Sequence, residues 1–238
     1  MEYNDLPIIT ILTPVYKRHN FLKLFLQNIK SQNYPLSKVK VIIDECKSDE
    51  PFINNLDEVK QELYPVELTH NVYDKKETIG FKRNRLVRDC KTNIFQFFDS
   101  DDIYNPDCLL YNYICLKDNK AVCVGSDQMI FCYTKSEYKI CKIDCGGLTS
   151  HIHEASVMAK KKWFIKTNKF DVINTGEGKN LFMGVQKNKI FITNIDMIMI
   201  CLCHEENTIP KEHFNETDDN SPSLDEKIVE FIETILPP

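Results

Sequence analysis

At 238 residues the chain suits one large domain, and its 14 Phe and 10 Tyr give it material for a sizeable core. The net charge of -5 excludes a general nucleic-acid binder, which needs a basic surplus. No apolar run approaches the roughly 18 residues that span a bilayer. The start, MEYNDLP, lacks a signal peptide's basic and apolar regions, so a cytosolic setting is expected.

Residues 7–16 (PIITILTPVY) form a continuous apolar run ending in Thr-Pro, the pattern of a strand buried on both faces. Residues 19–32 place Leu22, Phe25, Leu26 and Ile29 at helical spacing, with Asn20 as the expected N-cap. A second buried strand, 38–46, ends in Asp44-Glu45. A helix over 52–63 and a third strand over 66–73 follow. Residues 79–90 read as a basic helix carrying Lys82, Arg83, Arg85 and Arg88, with Lys75 and Lys76 just before it. A fourth strand, 93–98, runs into Asp99-Ser100-Asp101-Asp102. The next helix, 106–119, has Pro in its first turn.

This alternation predicts right-handed crossovers and a mainly parallel sheet covered on both faces, with ligands at the carboxyl ends of its strands. Three such ends are polar: residues 13–16, Asp44-Glu45, and 99–102. If the strands are parallel, the three converge on one rim.

The second half is less regular. Residues 121–134 and 138–144 read as a hairpin, 145–155 as a loop with paired glycines, and 155–168 as a short strand and a basic helix. A turn and helix over 174–188 come next, then two strands within 189–203. Residues 204–223 are a polar loop, and SLDE (223–226) is a capping box opening a terminal helix. The ten cysteines include no Cys-x-x-Cys pair, and most sit in apolar runs, as reduced core-filling thiols do. A zinc site built from Cys141/Cys145, Cys201/Cys203 and His151 or His153 would match no common spacing.

The acidic cluster 99–102 packs like charges together and so calls for a positive partner. Two carboxylates in Asp-x-Asp suit a hard divalent ion bridging to phosphate oxygens. The alternative is an acidic loop that caps the following helix. The basic helix likewise has two readings, a solvated face or a diphosphate site at a helix N-terminus.

Five motifs stand in order: Pro14/Tyr16, Gln32-Asn33-Tyr34-Pro35, Ile43-Asp44-Glu45, Arg83-Asn84 and Asp99-Ser100-Asp101-Asp102. Together they closely resemble the family 2 glycosyltransferases of the GT-A fold, strongly over about 8–115 and weakly over 145–207. The resemblance implies a Rossmann-like mixed α/β sheet with helices on both faces. It implies one transferase domain over 1–207, with a nucleotide-sugar half (1–119) and an acceptor half (120–207), then a polar linker and C-terminal helix over 208–238.

By the same resemblance, Pro14, Tyr16, Asp44 and Glu45 hold the base and ribose, where a carboxylate would accept the uracil imide and so favour a UDP-sugar. Lys76 and Arg83 meet the diphosphate, with Ser100 beside them. Asp101 ligates Mn²⁺ or Mg²⁺, Asp99 touches ribose or metal, and His204 resembles a late additional ligand. The family's acidic pair corresponds to Glu177 and position 178, but the second acid is Gly178 here. Glu177 is therefore the expected base, with Asp171 in reserve. His151, His153 and Glu154 would face a glycan acceptor, while Trp163 either packs in the core or stacks on a sugar.

The expected reaction is an inverting transfer from a nucleotide sugar to a hydroxyl, in a cytoplasmic bacterial or viral setting. A binding module that has lost its base is the rival that Gly178 keeps open. A haloacid-dehalogenase-like phosphatase would place its Asp-x-Asp on the first strand, not the fourth.

Overall fold

A computed structural model describes residues 5–167, 169–183, 189–205, 207 and 211–236. Its larger sheet has seven strands: β1 (Ile9–Val15), β2 (Val39–Cys46), β3 (Glu67–Tyr73), β4 (Ile94–Phe97), β6 (Cys123–Gly125), β9 (Met158–Lys160) and β10 (Ile190–Ile192). Their order is β10-β6-β9-β4-β1-β2-β3. All pairings are parallel except those of β9, which runs against both β4 and β6. The expected mixed, mainly parallel sheet is therefore present.

Alternation along the strands sends side chains to two cores. Ile9, Ile11, Val41, Ile43 and Phe98 face one core, with α1 (Leu22–Lys30), α2 (Leu56–Leu63) and α4 (Cys108–Asp118) over it. Leu12, Phe95 and Phe97 face the other, under α3 (Ile79–Asp89), α5 (Lys161–Thr167) and α6 (Lys179–Met183). Trp163 packs at the edge of this second core, 6.3 Å from Phe164.

The smaller sheet, β5-β11-β7-β8, comprises β5 (Ile103–Tyr104), β7 (Gln128–Tyr133), β8 (Lys139–Asp144) and β11 (Met199–Cys203). The apolar run 121–134 is thus two strands in different sheets. The break falls at Ser126-Asp127, where the Ser126 N–H donates to Ser156 Oγ and Asp127 Oδ2 accepts the Gly147 and Leu148 N–H groups. Only its second part forms the expected hairpin, with β8.

Two capping expectations change. Asn20 lies in a 3₁₀ turn, His19–Phe21, ahead of α1, which starts without a side-chain cap. Asp225, not Ser223, caps α7 (Glu226–Glu233), accepting the Lys227 N–H at 3.0 Å. The expected helix over 174–188 is seen as α6, and 184–188 lie outside the described residues.

The tail packs on the smaller sheet rather than extending from it. The Ile140 N–H donates to the Pro222 carbonyl, and that of Leu224 to Tyr138. Leu224, Ile232 and Ile235 are buried in the first core. All ten cysteines are free thiols, seven of them buried. No helix among the described residues is long and apolar enough to cross a membrane.

The acidic loop after β4 is fastened from α1. Asn28, buried in that helix, donates to the Asp102 carbonyl at 2.8 Å and accepts the Tyr104 N–H at 3.0 Å. Gln32 donates to the Asn105 carbonyl and accepts the Leu109 N–H, while the Tyr34 hydroxyl donates to Pro7. Tyr104 stacks on Phe98 and its hydroxyl accepts the Asp99 N–H. Asn28→Ala would leave a buried carbonyl and a buried N–H unpaired, at about 1–3 kcal/mol each. The expected outcome is a lower urea midpoint at unchanged m-value, with a much smaller change for the exposed pair partner Asn33→Ala.

Candidate functional site

The register β1–β2–β4 sets Pro14 beside Asp44 and Leu12 beside Phe97, so three strand ends do share one rim. A cavity of about 910 Å³ opens there. Pro14, Tyr16, Lys76, Arg83, Asp99, Ser100, Asp101 and Glu177 line it, as do His151, His153 and Glu154 from the opposite wall. β9 explains that wall. Being reversed, it begins where the parallel strands end: the Phe97 N–H donates to the Val157 carbonyl. The loop leading into β9 therefore faces the acids that follow β4.

Four expected residues, His204 among them, do not reach the cavity lining. Asp44 is buried and held by Arg85 at 2.6 and 2.7 Å. Burial outweighs that pairing and raises its pKa. Glu45, also buried, accepts the Phe52 N–H and sits 2.7 Å from His70 Nε2. Both acids point into the framework rather than toward a base, contrary to the role the sequence suggested. Asp171 accepts from Asn180 at 2.7 Å and is likewise outside the lining.

The acidic loop is neutralised by the protein's own cations. Arg83 NH2 donates to Asp99 at 3.0 Å and its Nε donates to Glu177 at 3.0 Å; Arg83 and Glu177 are buried, Asp99 partly so. Burial works against the charge on Arg83, but Asp99, Glu177 and Glu154 outweigh it and raise its pKa. Arg18 Nε donates to Asp101 at 2.7 Å, and His204 Nε2 lies 3.2 Å from the same oxygen. Against its burial, these two hold the Asp101 carboxyl well below the usual range. Asp102 goes the other way: burial, then the charges of Asp101 and Asp99, push it up to about 8. Its Oδ1 accepts the Leu202 N–H, making it a brace between the loop and β11.

Two buried atoms at the site lack partners among the described residues, Arg83 NH1 and Asp99 Oδ1. A donor and an acceptor left open side by side suit a polyhydroxy ligand. Asp101 and His204 together offer a carboxylate and an imidazole, a donor set compatible with Mn²⁺ or Mg²⁺. Among the described residues no three His, Cys, Asp or Glu side chains converge to hold an ion alone. The set therefore fits an ion that completes its shell with ligand oxygens.

Arg18 and Lys211 also line the cavity and escaped sequence reasoning, while Lys82, read only as part of the basic helix, lines it too. Lys82 is buried, its ammonium donating to the Val15 carbonyl, and burial lowers its pKa. Lys211 lies 3.2 Å from Cys201 Sγ, and Phe214 stacks on Phe131, so the tail supplies a wall. Lys76 lies 4.6 Å from the centre of the Tyr16 ring. The basic character of the segment 75–88 was visible, but nothing in the sequence tied 211–214 to the rim.

The loop carrying Glu177 is pinned by α3. Asn84 exchanges hydrogen bonds with the Phe170 backbone in both directions, and the Gly80 N–H donates to Ile173. Gly80 is required there: a Cβ would meet the Asp171 carbonyl oxygen at 1.8 Å. The Arg-Asn motif thus holds two loops at once.

A family model described as glycosyl transferase family 2 matches residues 10–171. A processive diacylglycerol beta-glycosyltransferase of Mycoplasma genitalium is 25% identical over 135 residues, which are 56% of this chain and 39% of that protein. A mannosyltransferase from Pyrobaculum calidifontis, solved with GDP-Man and Mn²⁺, superposes with a TM-score of 0.64 at 14% identity, over 86% of this chain and 59% of its own. S. aureus TarS 1-349 in complex with UDP gives 0.64 at 13% identity, over 87% and 62%. The chain thus spans about two fifths of the curated relative and about three fifths of the solved ones. The solved neighbours share the GT-A fold with it. With its motif order, its fold and a family match over most of its length, the chain belongs to glycosyl transferase family 2.

Proposed function

We propose that the protein transfers a sugar from a nucleoside-diphosphate sugar to an acceptor hydroxyl, with metal assistance and inversion. The observation that carries this is the single cavity wall where Asp99, Asp101, Arg83 and Lys76 meet at the ends of parallel strands. Neighbours solved with GDP-Man and Mn²⁺, with UDP and with UDP-GlcNAc support a donor of this class.

The base and ribose lie along Pro14 and Tyr16, with Lys76 near the ring. Since Asp44 and Glu45 are engaged elsewhere, discrimination between bases rests on this stacking surface rather than on a carboxylate. Lys76, Lys82 and Lys211 offer positive charge to the diphosphate. Asp101 and His204 would hold the metal, which when bound stabilises negative charge on the leaving diphosphate. Arg18, which pairs with Asp101, would share that carboxylate with a bound cation. Arg83 NH1 and Asp99 Oδ1 take sugar or ribose hydroxyls. An acceptor entering past His151 and His153 attacks from the opposite wall, and a single displacement there inverts the anomeric centre. The acceptor would be a glycan or another hydroxyl-bearing molecule.

A panel of UDP-, dTDP- and GDP-sugars, read by thermal shift with and without Mn²⁺, tests the donor class. Release of nucleoside diphosphate separates an enzyme from a binding module. Asp101→Asn should lose the Mn²⁺-dependent part of the shift and about 100-fold or more in release, the scale of removing one electrostatic contact. Full release in excess EDTA would remove metal from the scheme. Arg83→Met should cost about 3–5 kcal/mol of stability, because buried Glu177 and part-buried Asp99 would be left without their cation; a melting temperature equal to wild type would contradict that.

A further inference from the structure

Gly178 occupies the position where the resemblance expects the second acid of a pair. The space beside it is filled. A Cβ built on Gly178 would meet Glu154 Oε1 at 2.8 Å, Glu154 Cγ at 3.0 Å and Phe182 Cε2 at 2.7 Å. The Gly178 N–H donates to the same Oε1 at 2.9 Å. A carboxylate from another part of the chain therefore lies against the backbone where a side chain at 178 would begin.

Glu154 is well fixed. It opens a 3₁₀ turn (Glu154–Ser156) that leads into β9. The His153 N–H donates to the Ser126 carbonyl, Ser156 Oγ donates to the His153 carbonyl, and the Ser126 N–H donates to Ser156 Oγ. Glu154 lines the cavity, and its Oε1 accepts the Gly178 N–H. Glu177, its neighbour, is tied to Arg83.

The geometry points to Glu154 as the general base of the transfer, its carboxylate standing in for the acid absent at position 178. This rests on the transferase reading above. The acceptor O–H proton passes to Glu154, and the acceptor oxygen bonds to the anomeric carbon. The bond from that carbon to the diphosphate oxygen breaks, its electron pair leaving with the diphosphate. Nothing is oxidised or reduced. Glu177 is then a positioning residue that holds Arg83.

The charge environment agrees. Burial, then the Glu177 charge, raise Glu154 to about 7 against the pull of Arg83 from α3 and the Gly178 N–H. His153 beside it is kept neutral by burial and by Lys211 and Arg83, its pKa lowered to about 3. A base that titrates near neutrality is matched to abstracting a hydroxyl proton there.

The test measures nucleoside diphosphate release from the panel sugar giving the largest thermal shift, with water as acceptor, in the full chain. Wild-type release should rise with pH through about 7 as Glu154 loses its proton. Glu154→Gln keeps an oxygen for the Gly178 N–H and should retain the donor-induced thermal shift while losing about 100-fold or more in release, the lower end for a general base. The pH rise should vanish with it. Glu154→Ala combined with Gly178→Asp should recover part of the release lost in Glu154→Ala alone. Release by Glu154→Gln within threefold of wild type, or a wild-type profile flat from about pH 5 to 9, overturns this assignment and leaves the transferase reading standing. A wild-type protein that binds no nucleotide sugar and releases no diphosphate removes both.

Discussion

A buried guanidinium holds the two halves of this site together. Arg83 reaches from α3 to Asp99, at the end of β4, and to Glu177, in the loop before α6. Each carboxylate alone would be costly at such burial, and the two would repel each other. Their shared cation turns that repulsion into a fastener, although a buried ion pair gains little net stability over an apolar one. Its value is positional. Asp99 and Glu177 are fixed relative to the same planar group, and the Asn84 side chain repeats the fastening one residue later.

The same logic runs through the acidic loop. Asp99, Asp101 and Asp102 follow an apolar strand end and still do not repel it open. Arg83 and Arg18 take two of them, with His204 close to Asp101. Asp102 responds by holding its proton to higher pH, which trims the charge further. Asn28 meanwhile clamps the backbone. The loop therefore takes its shape from the protein's own pairings.

Much of this was legible because periodicity reports burial. The four parallel strands and their helices could be read from continuous apolar runs and 3.6-residue spacing, and the convergence of their ends follows from parallel pairing. The rim, the Asp-x-Asp loop and the Arg-Asn helix came with them. What stayed hidden depended on long-range pairing. A three-residue strand such as β9 carries no signature of direction, yet its reversal decides which loop faces the acids. The destinations of Asp44 and Glu45 were hidden for a related reason. A strand-end carboxylate reads the same whether its partner is a ligand's neighbour or, as here, Arg85 and His70 from adjacent elements. Gly178 looked like a loss in sequence; only the packed backbone shows another carboxylate beside it.

The tail's place on the smaller sheet has an implication for biosynthesis. Lys211 and Phe214 form part of the cavity wall, and the chain around 222–224 is laced to β8 and its turn. A nascent polypeptide that has emerged only as far as β11 holds every strand of both sheets, yet lacks the residues that close the cavity on one side. The cavity is thus completed by a segment translated after every strand of the scaffold.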